Sequence, residues 1–337
     1  MAKKVLLTGG AGYIGSHTCV ALLASGYEVV LLDNFSNARE DVPDRIEELS
    51  GARLAVHRGD IRDTALVRQI LADHAIDAVI HLAAQKSVHD SVLNPILYVD
   101  ENIGGLISLI HAMQAEGVFT LVFSSSAAVY GKATHVPIAE DAALGFVNPY
   151  AFTKFAGEQT LAYLGATDRR WVVGVLRYFN PAGAHPSGLI GEESRGPPPN
   201  LIPAVAEVAL GRSTEICVYG NDYDTPDGTG VRDYIHVDDL AFGHVLSLQS
   251  LLGTGSGHIV NLGTGRGYSV LEVIAAYSAA CGRELPYVIL PRRAGDVAMS
   301  FADPRRAETL LGFKATRNLV DMCETSWAWA SRRGRPS

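Results

Sequence analysis

A glycine-rich turn close to the N-terminus constrains the fold of this chain more than any other feature. Residues 9–15 read GGAGYIG and contain the spacing Gly10-x-Gly12-x-x-Gly15. A short apolar run precedes the turn, and the helical pattern IGSHTCVALLA (14–24) follows it. Glycines in this setting permit a tight turn, close approach of a diphosphate to the backbone, and close packing of helix on sheet. The turn therefore predicts a Rossmann-type sheet that binds a dinucleotide.

Strand-like apolar runs and helical patterns alternate through the first half of the chain. The runs lie at 29–32, 54–57, 78–83, 121–125 and 171–178, and the helical patterns lie at 65–74, 95–116 and 150–164. This alternation is typical of βαβ units, and it predicts an α/β fold with a doubly wound parallel sheet. We expect residues 1–179 to form the dinucleotide-binding domain.

The character of the sequence changes after residue 179. Residues 180–200 and 220–230 are rich in glycine and proline, which predicts long loops, and residues 201–210 and 269–281 have helical patterns. We expect residues 180–337 to form mainly a smaller C-terminal α/β region that binds the substrate. Some of its strands and helices should return to the large domain.

Charge and composition exclude several classes of protein. The net charge of −8 over 337 residues argues against a nucleic-acid-binding surface, which needs a basic face. No apolar stretch reaches the ~18 residues of a membrane span, and the N-terminal apolar run is too short for a signal peptide, so we expect a cytoplasmic protein. The four cysteines are far apart, which favours buried thiols over a disulfide framework or a metal site.

An acid at the end of the second strand selects the dinucleotide. Asp33 lies about 20 residues beyond the glycine turn, where a carboxylate suits the ribose hydroxyls of NAD and repels the 2′-phosphate of NADP. Arg39 leaves NADP open as an alternative. Asp60 follows the third strand-like run and could accept a hydrogen bond from the adenine amine. Its alternative is a carboxylate that caps a turn or a helix.

A tyrosine and a lysine at helical spacing predict proton transfer. Tyr150 and Lys154 lie four residues apart at the start of a predicted helix, so their side chains share one face. Ser126 lies at the carboxyl end of a strand, where open α/β sheets place their chemistry. A nearby ammonium and a cationic nicotinamide ring both favour phenolate, and a pKa lowered from about 10 to about 7 would make Tyr150 a base for a sugar hydroxyl.

Three later stretches carry a resemblance to a known family. They read LRYFNPAGAHPSG (176–188), GNDYDTPDGTGVRDYIHVDDLA (220–241) and RRAGDVAMSFAD (292–303). With the glycine turn and the Tyr/Lys pair, they make residues 4–330 similar to the extended short-chain dehydrogenase/reductase family, and within it to members that act on UDP-hexoses. The resemblance implies interconversion of UDP-galactose and UDP-glucose by transient oxidation at C4′, through a 4-keto sugar, with tightly held NAD.

The resemblance also implies which residues form the site. Expected catalytic residues are Ser126, Tyr150 and Lys154. Expected cofactor-binding residues are Gly9, Gly12, Tyr13, Ile14, Gly15, Asp33, Asn34, Asn37, Asp60, Ile61, Leu82, Ala83, Ala84, Lys86, Asn102, Ser124, Tyr150, Lys154 and Tyr178. Expected substrate-binding residues are Lys86, Ser126, Tyr150, Tyr178, Phe179, Asn180, Asn200, Leu201, Val218, Tyr219, Arg232, Tyr234, Arg293, Asp296 and Ser300.

Arginine suits the two diphosphate positions, Arg232 and Arg293, because a guanidinium pairs with phosphate oxygens in a bidentate manner. The resemblance makes Ser300 a size gate in the sugar pocket. A small residue there should admit a 2-N-acetyl group, so we expect activity on UDP-GlcNAc and UDP-GalNAc as well. The family is usually dimeric, and the resemblance implies a homodimer formed by the helices at 95–116 and 150–164.

Some residues depart from the family pattern, and rival functions remain. Ala128 replaces a hydroxyl residue, Ala84 a glycine and Pro199 an asparagine. Related 4,6-dehydratases carry an Asp–Glu pair where this chain has Ala127-Ala128, so water elimination lacks an acid. A UDP-N-acetylglucosamine or UDP-glucuronate 4-epimerase is an alternative. A non-catalytic NAD sensor is another, although such proteins commonly lose the tyrosine or the lysine.

Overall fold

Thirteen strands and twelve α-helices are present in the computed structural model, which describes residues 2–193, 198, 200–293 and 295–333. The strands are β1 Lys4–Thr8, β2 Glu28–Asp33, β3 Ala55–Arg58, β4 Ala78–His81, β5 Thr120–Ser126, β6 Val172–Tyr178, β7 Asn180–Ala182, β8 Ile216–Tyr219, β9 Val231–His236, β10 His258–Leu262, β11 Gly267–Ser269, β12 Tyr287–Leu290 and β13 Met299–Ser300. The helices are α1 Tyr13–Ala24, α2 Val42–Ser50, α3 Thr64–Asp73, α4 Val88–Leu93, α5 Pro95–Tyr98, α6 Gly105–Glu116, α7 Pro149–Thr167, α8 Leu201–Ala209, α9 Val237–Thr254, α10 Val270–Cys281, α11 Arg305–Leu311 and α12 Leu319–Arg333.

Seven strands pair in one parallel sheet. Their order across the sheet is β3-β2-β1-β4-β5-β6-β10, and every pairing in it is parallel. The strands from β1 to β6 lie in the strand order of a dinucleotide-binding Rossmann sheet. The central strands carry almost continuous apolar residues because helices cover the sheet on both faces. The predicted doubly wound α/β fold is therefore confirmed.

Two apolar clusters hold the helices against the sheet. On one face, α1, α2, α9 and α11 pack against residues such as Leu7, Leu31 and Ile80. On the other face, α3, α6 and α7 pack against residues such as Leu6, Val79 and Phe123. Consecutive residues of one strand serve opposite faces, as the period of two requires.

The remaining strands and helices build a smaller region beside the carboxyl edge of the large sheet. Strands β11, β9 and β13 form a small sheet that β7 joins, and β8 pairs with β12. Helices α8, α10 and α12 bury a third apolar cluster that includes Val205, Tyr277 and Met322. Strand β10 and helix α9 come from the second half of the chain but pack in the large sheet region. The division at residue 179 stays a prediction.

Two sequence-based expectations need correction in detail. The segment 95–116 is not one regular helix, because residues 99–104 form a π-helical segment between α5 and α6. Of the four cysteines, Cys19 and Cys323 are buried but Cys217 is exposed. Cys217 lies on β8 between the buried Ile216 and Val218, so the alternation of the strand turns its side chain outward.

Neither a membrane-spanning helix nor a metal-binding cluster is present among the described residues. Within residues 2–193, 198, 200–293 and 295–333, no helix combines the length and the apolar character that crossing a bilayer demands. Over the same ranges, no cluster of three or more His, Cys, Asp or Glu side chains has a geometry suited to a metal ion.

Candidate active site

The glycine turn between β1 and α1 is a cradle made of backbone atoms. Gly9 has a φ of +69°, and a Cβ added there would lie 2.7 Å from the backbone nitrogen of Ala83. A Cβ on Gly15 would overlap the carbonyl oxygen of Gly9. Both positions therefore require glycine, because β1, the loop after β4 and the start of α1 approach one another too closely for side chains.

Asp33 holds this cradle in place from the end of β2. Its carboxylate accepts hydrogen bonds from the backbone N–H of Ala11 at 3.0 Å and of Phe35 at 2.9 Å. Burial raises the pKa of Asp33, and the two backbone hydrogen bonds oppose that rise. Each oxygen accepts only one of these bonds, so lone pairs remain for ribose hydroxyl donors. In α1, the N-cap Gly12 offers no side chain to the first turn, so the helix N-terminus suits a diphosphate.

The other predicted cofactor residues follow the carboxyl ends of the strands, where a dinucleotide lies in folds of this type. Tyr13 and Ile14 begin α1; Asn34 and Asn37 follow β2; Asp60 and Ile61 follow β3; Leu82, Ala83 and Ala84 follow β4; Ser124 lies in β5. The residues at the cradle and along this edge fit NAD.

Three of the polar side chains in this region are engaged within the protein. Asp60 accepts hydrogen bonds from the guanidinium of Arg62 at 2.7 and 2.9 Å, which lowers the pKa of Asp60. Arg39, the residue that left NADP open, forms an ion pair with Asp41. Asn102 donates to the Gln85 carbonyl and to Thr153 Oγ1, each at 3.0 Å. Asn102 therefore ties the loop after β4 to α7.

The predicted triad is brought together where β5 ends and α7 begins. Asn148 caps α7 by accepting from the N–H of Ala151 at 2.8 Å, which fixes the helix start beside Tyr150. The Ser126 hydroxyl lies close enough to the Tyr150 phenol to lower its pKa. Lys154 Nζ is buried and donates to the carbonyl oxygen of Ser124 at 2.7 Å. Ser126 of β5 and the residues Tyr150 and Lys154 of α7 therefore lie close together.

The protonation of the triad differs from the sequence-based expectation. Burial raises the pKa of Tyr150 above its usual value, and the nearby Ser126 hydroxyl only partly opposes this. Burial lowers the pKa of Lys154 to about 8. The expected lowering of the Tyr150 pKa is therefore not present in the protein alone, because Lys154 donates its hydrogen bond to a backbone carbonyl and burial disfavours both the phenolate and the ammonium.

A second group of predicted residues meets around a carboxylate. Lys86 forms an ion pair with Glu192 at 3.1 Å, and Asn200 Nδ2 donates to Glu192 Oε1 at 3.2 Å. Lys86 is expected to bind both the cofactor and the substrate, and Asn200 is expected to bind the substrate. Both side chains direct N–H donors at one negatively charged group, the carboxylate of Glu192. Their positions therefore also suit an anion such as a phosphate. Pro199, which departs from the family pattern, lies outside the described residues.

The third group lies in the smaller region. The guanidinium of Arg232 lies 3.6 Å from the carboxylate of Asp296, and Ser300 pairs with Arg232 between β13 and β9. Arg293 lies over the ring of Tyr219, with 3.7 Å between its guanidinium carbon and the ring centre. The structure thus brings the predicted diphosphate, ribose and sugar-pocket residues to adjacent positions.

Several predicted substrate residues are largely interior. The phenol of Tyr178 is buried and makes a hydrogen bond with His244 Nε2 on α9. Tyr234 is only 6% exposed and belongs to the apolar cluster of the smaller region. Phe179 and Val218 are also buried, whereas Asn180 is exposed and Leu201 begins α8.

Sequence reasoning missed several polar residues next to the site. Glu158 and Arg177 form a buried ion pair behind Lys154. The spacing of Tyr150, Lys154 and Glu158 by four residues could have identified Glu158, since all three share one helical face. Arg292 forms an ion pair with Asp222 at 2.7 Å, linking the loops that follow β8 and β12. No local sequence signal marks that contact.

Comparisons with known proteins agree with this geometry. The model of the NAD dependent epimerase/dehydratase family matches residues 5–263. The UDP-glucose 4-epimerase of Bacillus subtilis strain 168 is 51% identical over 327 residues, which cover 97% of this chain and 96% of that protein.

Solved structures show the same similarity in three dimensions. The UDP-glucose 4-epimerase from Stenotrophomonas maltophila, with bound NAD and formylated UDP-arabinopyranose, has a TM-score of 0.97 and 50% identity, covering 98% of both chains. The enzyme from Bifidobacterium longum, in complex with NAD⁺ and UDP, has a TM-score of 0.93 and 46% identity, again covering 98% of both chains.

Proposed function

Since the chain belongs to the NAD dependent epimerase/dehydratase family, we propose that it interconverts UDP-glucose and UDP-galactose by inverting C4′ of the hexose. NAD is the cofactor of the family and of this chain. The observation that carries the proposal is the meeting of Ser126, Tyr150 and Lys154 at the carboxyl edge of the sheet, beside the NAD cradle. The absence of a carboxylate at 127 and 128 supports epimerisation over water elimination.

The chain's own residues handle the proton and the position of the sugar. Bound NAD supplies reversible hydride acceptance at C4′. Tyr150 accepts the proton of the 4′-hydroxyl and later returns it, and Ser126 holds that hydroxyl within hydrogen-bonding reach of the phenol. The charge of Lys154 favours the phenolate form of Tyr150. Arg232 and Arg293 hold the diphosphate while the keto sugar turns to present its opposite face.

We propose that the same pocket also accepts UDP-GlcNAc and UDP-GalNAc. Ser300 lies on β13 next to Arg232 of β9, so its side chain is beside a predicted diphosphate ligand. A serine hydroxymethyl group is smaller than the phenol of a tyrosine by more than the volume of an acetyl group. The small side chain of Ser300 beside Arg232 is the support for this wider substrate range.

The test compares kcat/KM for both substrate pairs in the wild type and in Ser300→Tyr. We expect the wild type to epimerise both pairs. Ser300→Tyr should keep UDP-galactose turnover within about tenfold and lose at least about 100-fold on UDP-GlcNAc, because an overpacked pocket costs about 1–3 kcal/mol or more. Wild-type inactivity on UDP-galactose contradicts the main proposal. A tyrosine variant that still turns over UDP-GlcNAc equally well contradicts the gate.

We also propose that the protein is a homodimer. Helices α4, α5 and α6 expose an apolar face, which includes Val92, Leu93, Ile96, Leu97 and Ile107. Phe152 and Tyr163 extend this face onto α7. A contiguous exposed apolar surface of this kind is typical of a protein interface. The cytoplasmic location expected from the N-terminal sequence stays a prediction.

A further inference from the structure

A buried ion pair lies one helical turn beyond the catalytic lysine. Glu158 follows Lys154 by four residues on α7, and Arg177 lies on β6. Arg177 donates from Nε to Glu158 Oε1 at 3.0 Å and from Nη2 to Oε2 at 2.7 Å. The side chains of Glu158 and Arg177 are 2% and 3% exposed. Removing either partner of this buried pair would destabilise the protein, because the remaining charge would be buried without a counter-ion.

The ion pair also holds the strand that carries the catalytic serine. Ser125 Oγ donates to Glu158 Oε1. Ser125 lies opposite Arg177 in the β5–β6 pairing, so both side chains point toward α7. The carbonyl oxygen of the neighbouring Ser124 accepts a hydrogen bond from Lys154, and Ser126 lies close to the phenol of Tyr150. Three consecutive serines are therefore held by three residues of α7 that are one helical turn apart.

Arg177 cannot easily move to compensate for the loss of its partner. Its Nη1 donates to Tyr130 Oη and to the carbonyl oxygen of Glu140, each at 3.0 Å. Tyr130 in turn donates to Asn261 on β10 at 2.6 Å, and the backbone N–H of Asn261 donates to the carboxylate of Glu140. The guanidinium is thus fixed from the side away from Glu158.

The charge of Lys154 depends on few neighbours. Burial disfavours its protonated form, and the negative charge of Glu158 opposes that effect. On β4, His81 is buried and uncharged near neutral pH, because burial lowers its pKa to about 3. On β5, Lys154 meets the Ser124 carbonyl and the ring of Phe123. On its own helix it also shares a face with the uncharged Tyr150. Glu158 is therefore the carboxylate that favours the ammonium.

We propose that Glu158, held in place by Arg177, is a positioning residue that keeps Lys154 in its charged form during turnover and keeps the Ser124–Ser126 segment aligned with α7. This inference rests on the proposed function, because epimerase turnover is one of its measurements. Glu158 makes its hydrogen bonds to Arg177 and Ser125, which are not among the predicted substrate or cofactor residues. Its effect on the site therefore passes through the charge of Lys154 and the position of Ser125.

The test separates charge from shape by comparing Glu158→Gln with Glu158→Asp in the holoenzyme. Glu158→Gln keeps the shape but leaves two cations, Lys154 and Arg177, without the buried anion. Lys154 should then lose its proton at lower pH, and the alkaline limb of the kcat–pH profile should move down by about one pH unit. Glu158→Asp keeps the charge, so its alkaline limb should stay within about 0.3 pH units of the wild type, even though kcat falls.

A second measurement does not depend on turnover. The phenolate absorbance of Tyr150 is titrated in the NAD⁺-loaded protein, as the difference between each variant and the same variant with Tyr150→Phe. In that form the cationic nicotinamide ring should lower the Tyr150 pKa into the pH range where Lys154 is still charged. Loss of the Lys154 charge disfavours phenolate, so Glu158→Gln should move this titration to higher pH while Glu158→Asp leaves it in place. If Glu158→Gln does not fold, Glu158→Gln with Arg177→Gln removes both buried charges and should move both titrations in the same directions by less.

The outcomes are distinct. A wild type without UDP-galactose turnover contradicts the proposed function, and the phenolate titration then still tests Glu158. An active wild type whose alkaline limb and phenolate titration are unchanged by Glu158→Gln overturns the inference. A larger movement in Glu158→Asp than in Glu158→Gln also overturns it, because shape and not charge would then control the site.

Discussion

At the scale of single residues, the site depends on how burial affects the protonation of Tyr150 and Lys154. Burial moves the pKa of Tyr150 up and that of Lys154 down to about 8, so the uncharged phenol and the ammonium coexist at neutral pH. A base is needed for turnover, and the positive charge that accompanies bound NAD⁺ favours the phenolate. Proton removal from the sugar is therefore coupled to occupancy of the cofactor site.

Tyr150→Phe should lower kcat for UDP-galactose by about 10²–10⁴, because it removes the phenol that accepts and returns the hydroxyl proton. Bound NAD per subunit should stay unchanged, since the cradle at Gly9–Gly15 and Asp33 is untouched. The measurements are turnover and the dinucleotide content of the purified protein.

Tyr287→Phe is the matched control, because Tyr287 lies on β12, outside the predicted catalytic residues and the proposed dimer face, and is 47% exposed. It removes the same hydroxyl group and should keep near-normal kcat. Near-normal turnover in Tyr150→Phe would place the base elsewhere.

At the scale of elements, α7 is positioned by a close approach to the sheet. A Cβ on Gly157 would lie 2.7 Å from Phe123 Cζ on β5 and 3.2 Å from Leu106 Cδ2 on α6. Gly157 therefore lets α7 lie close enough to β5 for Lys154 to reach the Ser124 carbonyl. On the same helix, a Cβ on Gly165 would meet open space.

Two glycine-to-alanine changes on α7 should have opposite effects. Gly165→Ala should stabilise the protein by about 0.5–1 kcal/mol, because alanine has the higher helix propensity. Gly157→Ala has the same gain in propensity but pushes the helix from the sheet, so it should lower both the stability and kcat by overpacking.

Thermal unfolding and UDP-galactose turnover of the two variants are the measurements. Equal melting temperatures, or a Gly157→Ala variant with wild-type kcat, would show that the approach of α7 to β5 is not critical.

Much of this architecture could be predicted from local patterns, and the misses share one cause. Runs of apolar residues and the glycine turn predicted β1, β2, β4, β5 and β6 in the large sheet, and the four-residue spacing placed Tyr150 beside Lys154. The orientation of the Tyr178 phenol could not be predicted, because its hydrogen-bond partner is His244 of α9, which lies 66 positions later in the chain. The Glu192 and Arg177 contacts likewise join segments that are distant in sequence.

At the scale of the whole molecule, the exposed apolar face on α4–α6 and α7 predicts where two subunits of the homodimer meet. Ile96 on α5 is 77% exposed. Ile96→Glu places a charge in the proposed dimer interface, and burying it unpaired costs several kcal/mol. We expect this variant to be monomeric at micromolar concentration, by sedimentation equilibrium, whereas the wild type is a dimer.

Leu310→Glu is the control, because Leu310 is 53% exposed on α11, which lies on the opposite face of the large sheet. This variant should remain dimeric. A monomeric wild type, or an Ile96→Glu variant that sediments as the wild type does, would contradict the proposed interface.

The return of β10 to the large sheet has a consequence for how the protein is made. Residues 1–179 contain six of the seven strands, but the helix α9, which covers one sheet face, and the edge strand β10 are completed only at residue 262. At about 5–20 residues per second, a ribosome needs roughly 4–17 s to add those residues. During that interval the cluster that contains Leu7, Ile80 and Leu176 lacks the apolar cover of α9 and β10, so we expect the yield of folded protein to depend on the rate of translation.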